Sequence, residues 1–102
     1  MLTLIVHIKA RKGKERALES ELRRSVPPTH EEEGCVRFAL HRSPKNPGNF
    51  LLVERWKSQG ALDEHMKKPY LKDLLARLKD LAEHTEAQPY ELLEEGDGAK
   101  LL

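Results

Sequence analysis

Cys35-Val36-Arg37-Phe38-Ala39-Leu40-His41-Arg42, Ser43-Pro44-Lys45-Asn46-Pro47-Gly48 and Asn49-Phe50-Leu51-Leu52-Val53-Glu54-Arg55-Trp56-Lys57 form the stretch that decides the fold. Its outer thirds are rich in β-branched, aromatic and long apolar residues. The middle third is made of the prolines, glycine and asparagine that break strands, so the whole predicts a hairpin. With the turn centred near Asn46, Leu40 opposes Leu52, Phe38 opposes Glu54 and Val36 opposes Trp56, which puts the larger apolar residues on one face. A slip of one residue would scatter them.

Upstream, Glu31-Glu32-Glu33-Gly34 reads as a polar connection. Before it, Ala17, Leu18, Leu22, Ser25 and Val26 recur at helical spacing, and Pro27-Pro28 is expected to stop the helix. Arg11-Lys12-Gly13-Lys14 turns the chain back to a first strand, Leu2 to Ala10, whose Leu2, Leu4, Val6 and Ile8 share a side opposite Thr3, Ile5, His7 and Lys9. Downstream, Ser58 is placed to cap a short helix through Met66, and Pro69 fits the first turn of the next. Leu71, Leu74, Leu75, Leu78, Leu81 and Ala82 make the apolar stripe of that helix. A last strand is expected from Pro89 to Leu93, followed by a frayed polar tail.

The order strand, helix, strand, strand, helix, strand is the α+β, ferredoxin-like split βαβ pattern, with helices on one face of an antiparallel sheet. We expect one domain over residues 1–93 and a tail over 94–102. Ile5, Leu51 and Val53 are apolar on the face away from the helices, which predicts a cover there, read as a second subunit in a homodimer.

Eighteen lysines and arginines balance seventeen aspartates and glutamates and are interspersed with them. That leaves no electrostatic footprint for nucleic acid. No apolar run approaches the roughly 20 residues that span a bilayer, and no cleavage site follows the first strand, so a cytoplasmic protein is expected. Cys35 is the only cysteine, which excludes an intrachain disulfide and a cysteine/histidine metal cluster. At a strand start it reads as a small buried residue more readily than as a reactive thiol. The glycines are isolated, so there is no phosphate loop, and no nucleophile elbow surrounds a serine.

Several separated elements carry a resemblance. Glu33-Gly34-Cys35, then Phe50 leading to Glu54-Arg55-Trp56, then Ser58-Gln59-Gly60-Ala61-Leu62-Asp63-Glu64-His65 followed by Pro69, resemble the E-x-G-C, E-x-W and A-L-x-x-H pattern of the antibiotic biosynthesis monooxygenase family. The likeness runs from Met1 to about Leu92, and Gly13-Lys14 opens the first helix where that family turns. The resemblance implies a dimeric α/β barrel, two ferredoxin-like sheets packed face to face, with a pocket in each subunit between sheet and helices. It also implies, for several members, oxidation of quinol-like or polyketide aromatics by dioxygen without metal, flavin or haem. The same fold hosts haem-degrading enzymes, isomerases and members without assigned activity. The haem-degrading relatives use an asparagine where this chain has His7, and a histidine where it has Leu74-Leu75, which argues against haem.

Cofactor-free oxygenation needs a base that removes a phenol or enol proton in a dry site, leaving an anion electron-rich enough to reduce dioxygen. Histidine suits that task near neutral pH. His65 stands where the resembled family most often has histidine; the competing reading is a hydrogen bond to a carbonyl at the helix end. His7, on the less apolar side of the first strand, is the second candidate base, and His41 beside the hairpin loop reads as solvated. Glu54, a carboxylate in an apolar strand, requires a partner, and the resemblance implies a structural role for it. Trp56 offers a flat wall to an aromatic substrate or simply packs. Asn49 and Tyr70 can orient a substrate oxygen, or serve as turn and surface residues. The expected activity is a cofactor-free monooxygenase of small quinols or phenols. The alternatives are a non-catalytic dimer that binds a small molecule, and an isomerase of a small carbonyl compound.

Overall fold

The computed structural model describes residues 1–101. Its elements run β1 (Leu2–Ala10), α1 (Glu15–His30), β2 (Cys35–Arg42), β3 (Asn49–Trp56), α2 (Gln59–Met66), α3 (Pro69–Leu81) and β4 (Ala82–Tyr90), with a short 3-10 turn at Gly98–Lys100. The strands form one antiparallel sheet in the order β2-β3-β1-β4. This is the α+β architecture that the hairpin and the flanking periodicities predict.

Strand alternation sorts the side chains. Val6 and Ile8 are buried while His7 and Lys9 between and beyond them are exposed. The buried set packs with Phe38, Phe50, Leu52 and Trp56 under Leu18, Leu22, Leu62, Leu71, Leu74 and Leu78 of the three helices. All helices therefore lie on one sheet face. Glu54 falls on that face too, between Leu4 of β1 and Phe38 of β2.

Four expectations need correction. The first concerns α1, which runs through Pro27 and Pro28 to His30. A proline deprives the carbonyl four residues earlier of its partner, and here those carbonyls belong to Arg23 and Arg24, both exposed to water. The buried side keeps its bonds: Ser25 Oγ donates to Leu22 O and Thr29 Oγ1 to Ser25 O, each at 2.7 Å. The second is the register at the start of the hairpin. Leu40↔Leu52 and Phe38↔Glu54 pair as expected, but a bulge between Cys35 and Arg37 places Cys35, not Val36, opposite Trp56. The extra residue turns Val36 outward.

The third is the last strand, which spans Ala82–Tyr90 and not Pro89–Leu93. It lies at the sheet edge, bonded through its backbone to β1, and from Glu83 onward every residue is exposed. No apolar alternation marks such a strand. The fourth is the stripe of α3: Leu75 is exposed, and Ala82 belongs to β4. The segment after Tyr90 is not wholly irregular either, since Asp97 Oδ1 accepts from Ala99 N at 3.0 Å to cap the 3-10 turn.

Two glycines are dictated by geometry. Gly13 turns with φ +87°, which L side chains rarely adopt. At Gly34 a Cβ would collide with the Cβ of Ala61, so the connection after α1 lies directly against α2.

Candidate active site

The contact at Gly34 brings together residues from six parts of the chain. Glu32 sits in the connection with its backbone held on both sides: its N–H donates to Thr29 O at 3.1 Å, and its carbonyl accepts from Cys35 N at 3.0 Å. The side chain turns inward and is 9% exposed. Ser58 caps α2, accepting from Ala61 N at 3.1 Å, and this phase puts Leu62 and His65 on the buried face three residues apart. Lys68 is extended, Pro69 opens α3, and Tyr70 follows within the first turn.

His65 is 3% exposed, and its Nδ1 lies 2.6 Å from Glu32 Oε2. The Tyr70 hydroxyl donates to the same carboxylate oxygen, and Thr29 Oγ1 stands 3.0 Å from the Tyr70 oxygen. The His65 ring lies over Trp56 at 4.5 Å between centroids, tilted 36°, with the Phe38 ring at 5.9 Å. Among the described residues His65 Nε2 has no hydrogen-bond partner. Beneath this, Glu54 is 4% exposed and accepts from Trp56 Nε1 at 2.9 Å.

The buried charges act on one another. Burial pushes the Glu54 carboxyl up to about 7 against the lowering effect of the Trp56 N–H, and the negative charge of Glu32 adds to the rise. Burial, then the bond to Glu32, pushes the Tyr70 hydroxyl up to about 12, so it stays a donor. The Cys35 thiol is pushed up by burial and by Glu32 and Glu54, which keeps it a thiol and not a nucleophilic thiolate. The cluster thus offers an imidazole, a carboxylate hydrogen-bonded to it, a second carboxyl able to hold a proton near neutral pH, and a buried aromatic ring behind them.

Of the residues singled out from sequence, the fold gathers His65, Glu54, Trp56 and Tyr70. His7 lies on the opposite sheet face, across from Leu51 of β3 and Glu86 of β4. Asn49 begins β3, seven residues from Trp56 and so about 23 Å along the strand. His41 is exposed, its Nδ1 3.1 Å from Ala39 O. Glu32 and Thr29 were not singled out. Glu32 is one of three consecutive glutamates, read as a solvated connection, and Thr29 lies beyond the expected helix end. The E-x-G-C spacing was the available signal, because counting back from Gly34 and Cys35 places its glutamate at 32 and not 33.

The main surface clefts lie elsewhere. One of about 860 Å³ is lined by Met1, Arg55 and residues between Glu91 and Leu101. Arg55 is 8% exposed there and faces away from the helices, with no partner for its Nε among the described residues.

Comparison with known proteins adds four findings. The pattern of the family described as antibiotic biosynthesis monooxygenase matches residues 1–77. An uncharacterized protein of Synechocystis sp. is 29% identical over 70 residues, 68% of this chain and 48% of its own length. "Putative monooxygenase Rv0793" of Mycobacterium tuberculosis is 35% identical over 65 residues, 64% of this chain and 63% of its own length. The chain thus spans between about half and two thirds of these two relatives. The crystal structure of PA3566 from Pseudomonas aeruginosa superposes with a TM-score of 0.88 at 30% identity, covering 91% of this chain and 94% of that one.

Proposed function

Because this chain belongs to the antibiotic biosynthesis monooxygenase family, we propose that it is a cofactor-independent monooxygenase of a small quinol or phenolic compound, with His65 as its general base. The observation that carries the reading is the buried His65 ring, stacked on Trp56 and bonded through Nδ1 to Glu32, which leaves Nε2 unbonded. A base so placed, backed by the Trp56 wall, can take a phenolic proton from a substrate that reaches Nε2. The quinolate then passes an electron to dioxygen and the two radicals combine. One oxygen atom enters the ring, the other leaves as water, and the quinol supplies the electrons, so a quinol becomes a hydroxyquinone with no external reductant. Glu54 accepts from the Trp56 N–H and orients that wall, and its carboxyl near 7 can hold the proton that water formation consumes.

The working unit in this reading is residues 1–93, with 94–102 appended. A second copy covers the sheet face bearing Ile5, Leu51 and Val53, which are only partly buried in one chain. His7 belongs to that face, so its replacement bears on assembly before it bears on chemistry.

Oxygen uptake by metal-free, cofactor-free protein with a panel of quinols and polycyclic phenols tests the proposal. His65→Ala should slow uptake by a factor on the order of 10²–10⁴, and His7→Ala should leave the dimer's rate per folded site largely unchanged. Uptake no faster than autoxidation across the panel would move the chain to a binding or isomerase role.

A further inference from the structure

Glu32 enters neither the composition nor the periodicity of the chain as anything but surface, yet its carboxylate is nine-tenths buried against His65. A carboxylate has no hydrogen to give, so a contact of 2.6 Å to Nδ1 requires the hydrogen on Nδ1. In a neutral imidazole that leaves the lone pair on Nε2. The carboxylate cannot swing away, because its backbone is tied at both ends and its Oε2 also takes the Tyr70 hydroxyl. Tyr70 has one hydroxyl hydrogen and gives it to Glu32; the single hydrogen of Thr29 Oγ1 goes to Ser25 O at 2.7 Å, and Thr29 holds the connection through its carbonyl, which accepts from Glu32 N at 3.1 Å.

We infer that Glu32, held by Tyr70 and Thr29, is a positioning residue: it fixes His65 in the Nδ1–H form and so presents Nε2 as the proton acceptor. The inference rests on the reading of His65 as the base. Its parts come from four separate segments, α1, the following connection, α2 and the start of α3. A role in packing alone would call for no carboxylate at this point, because a buried charge kept only for volume costs more than an apolar residue of the same size.

The tautomer of His65 is read directly from two-bond proton–nitrogen correlations of its ring, at a pH where the spectra show the ring neutral. The wild type should carry hydrogen on Nδ1, as a far-downfield, slowly exchanging resonance. Glu32→Gln keeps a carbonyl acceptor and should keep that tautomer. Glu32→Met keeps the volume without an acceptor, should move the ring to Nε2–H, and should lower oxygen uptake by on the order of 10². A wild-type ring with hydrogen on Nε2, or a Met variant that retains Nδ1–H, overturns the inference; the wild-type spectrum decides the first point even if a variant fails to fold. If the tautomers behave as stated while no quinol drives uptake, Glu32 does position His65 and it is the oxygenase reading that falls.

Discussion

Replacing Glu54 by glutamine should make the protein more stable above about pH 4.5, by an amount that grows up to about pH 7 and is constant beyond it. In the folded chain the Glu54 carboxyl is pushed from 4.5 up to about 7, chiefly by burial. Between those values the folded chain holds a proton that the unfolded chain has released. The stability that the neutral carboxyl supplies is whole below 4.5, erodes above it, and is gone once the pH passes about 7. At ~1.4 kcal/mol per pH unit, this one group costs the wild type about 3 kcal/mol between acid and about pH 8. Glutamine has the same shape, and its carbonyl can take the Trp56 N–H that now reaches Glu54 at 2.9 Å, but it does not titrate. Urea unfolding of both proteins at one protein concentration, across about pH 4.5 to 8, reads the term, because titrating groups that do not sense Glu54 cancel in the difference. The Gln variant should match the wild type near pH 4.5 and exceed it by about 3 kcal/mol near pH 8. Parallel pH profiles would refute the buried, proton-holding Glu54.

The same proton has an optical signature. Trp56 is the only tryptophan and is fully buried, so its fluorescence should change with a midpoint of about 7 as Glu54 ionises. Glu54→Gln should show no such step, and a flat wild-type trace between about pH 5.5 and 8.5 would contradict the assignment. Gly34→Ala drives a methyl into Ala61 of α2 and should cost about 1–3 kcal/mol. Thermal unfolding would read this as a fall of roughly 4–8 °C per kcal/mol in a domain of this size, and an unchanged midpoint would mean that the connection and α2 are not in contact.

The sheet and its covered face were legible because β1, β2 and β3 each bury one side, and alternation in apolar character records that burial. β4 was misplaced for the converse reason. An edge strand held through its backbone, with every residue from Glu83 outward in water, leaves no trace in hydropathy. The prolines in α1 misled because a proline is a stop signal only where the lost bond is buried, and which carbonyls face water is a tertiary fact. In the candidate site, Glu54 and Trp56 stood out as a carboxylate and a large aromatic in an apolar strand, and His65 through its place in the A-L-x-x-H pattern of the resembled family. Glu32 did not, because three adjacent glutamates look alike until the fold turns one of them inward.

The two links that flank β2 differ in what they tolerate. The 43–48 loop is exposed at Pro44 to Pro47, and its inner bonds, Asn46 N to Ser43 Oγ at 3.1 Å and Asn49 N to Asn46 O at 2.9 Å, hold only the turn itself. An insertion after Pro44 costs little beyond loop closure, about 0.6 kcal/mol per doubling of length, so a tag, an epitope or a second binding module can be spliced there. The 31–34 link admits nothing: one added residue would break the paired bonds at Glu32 and lift Gly34 off Ala61. For anyone grafting new specificity onto this scaffold, the first loop is the place to cut, and the second is a fixed spacer whose length is part of the site.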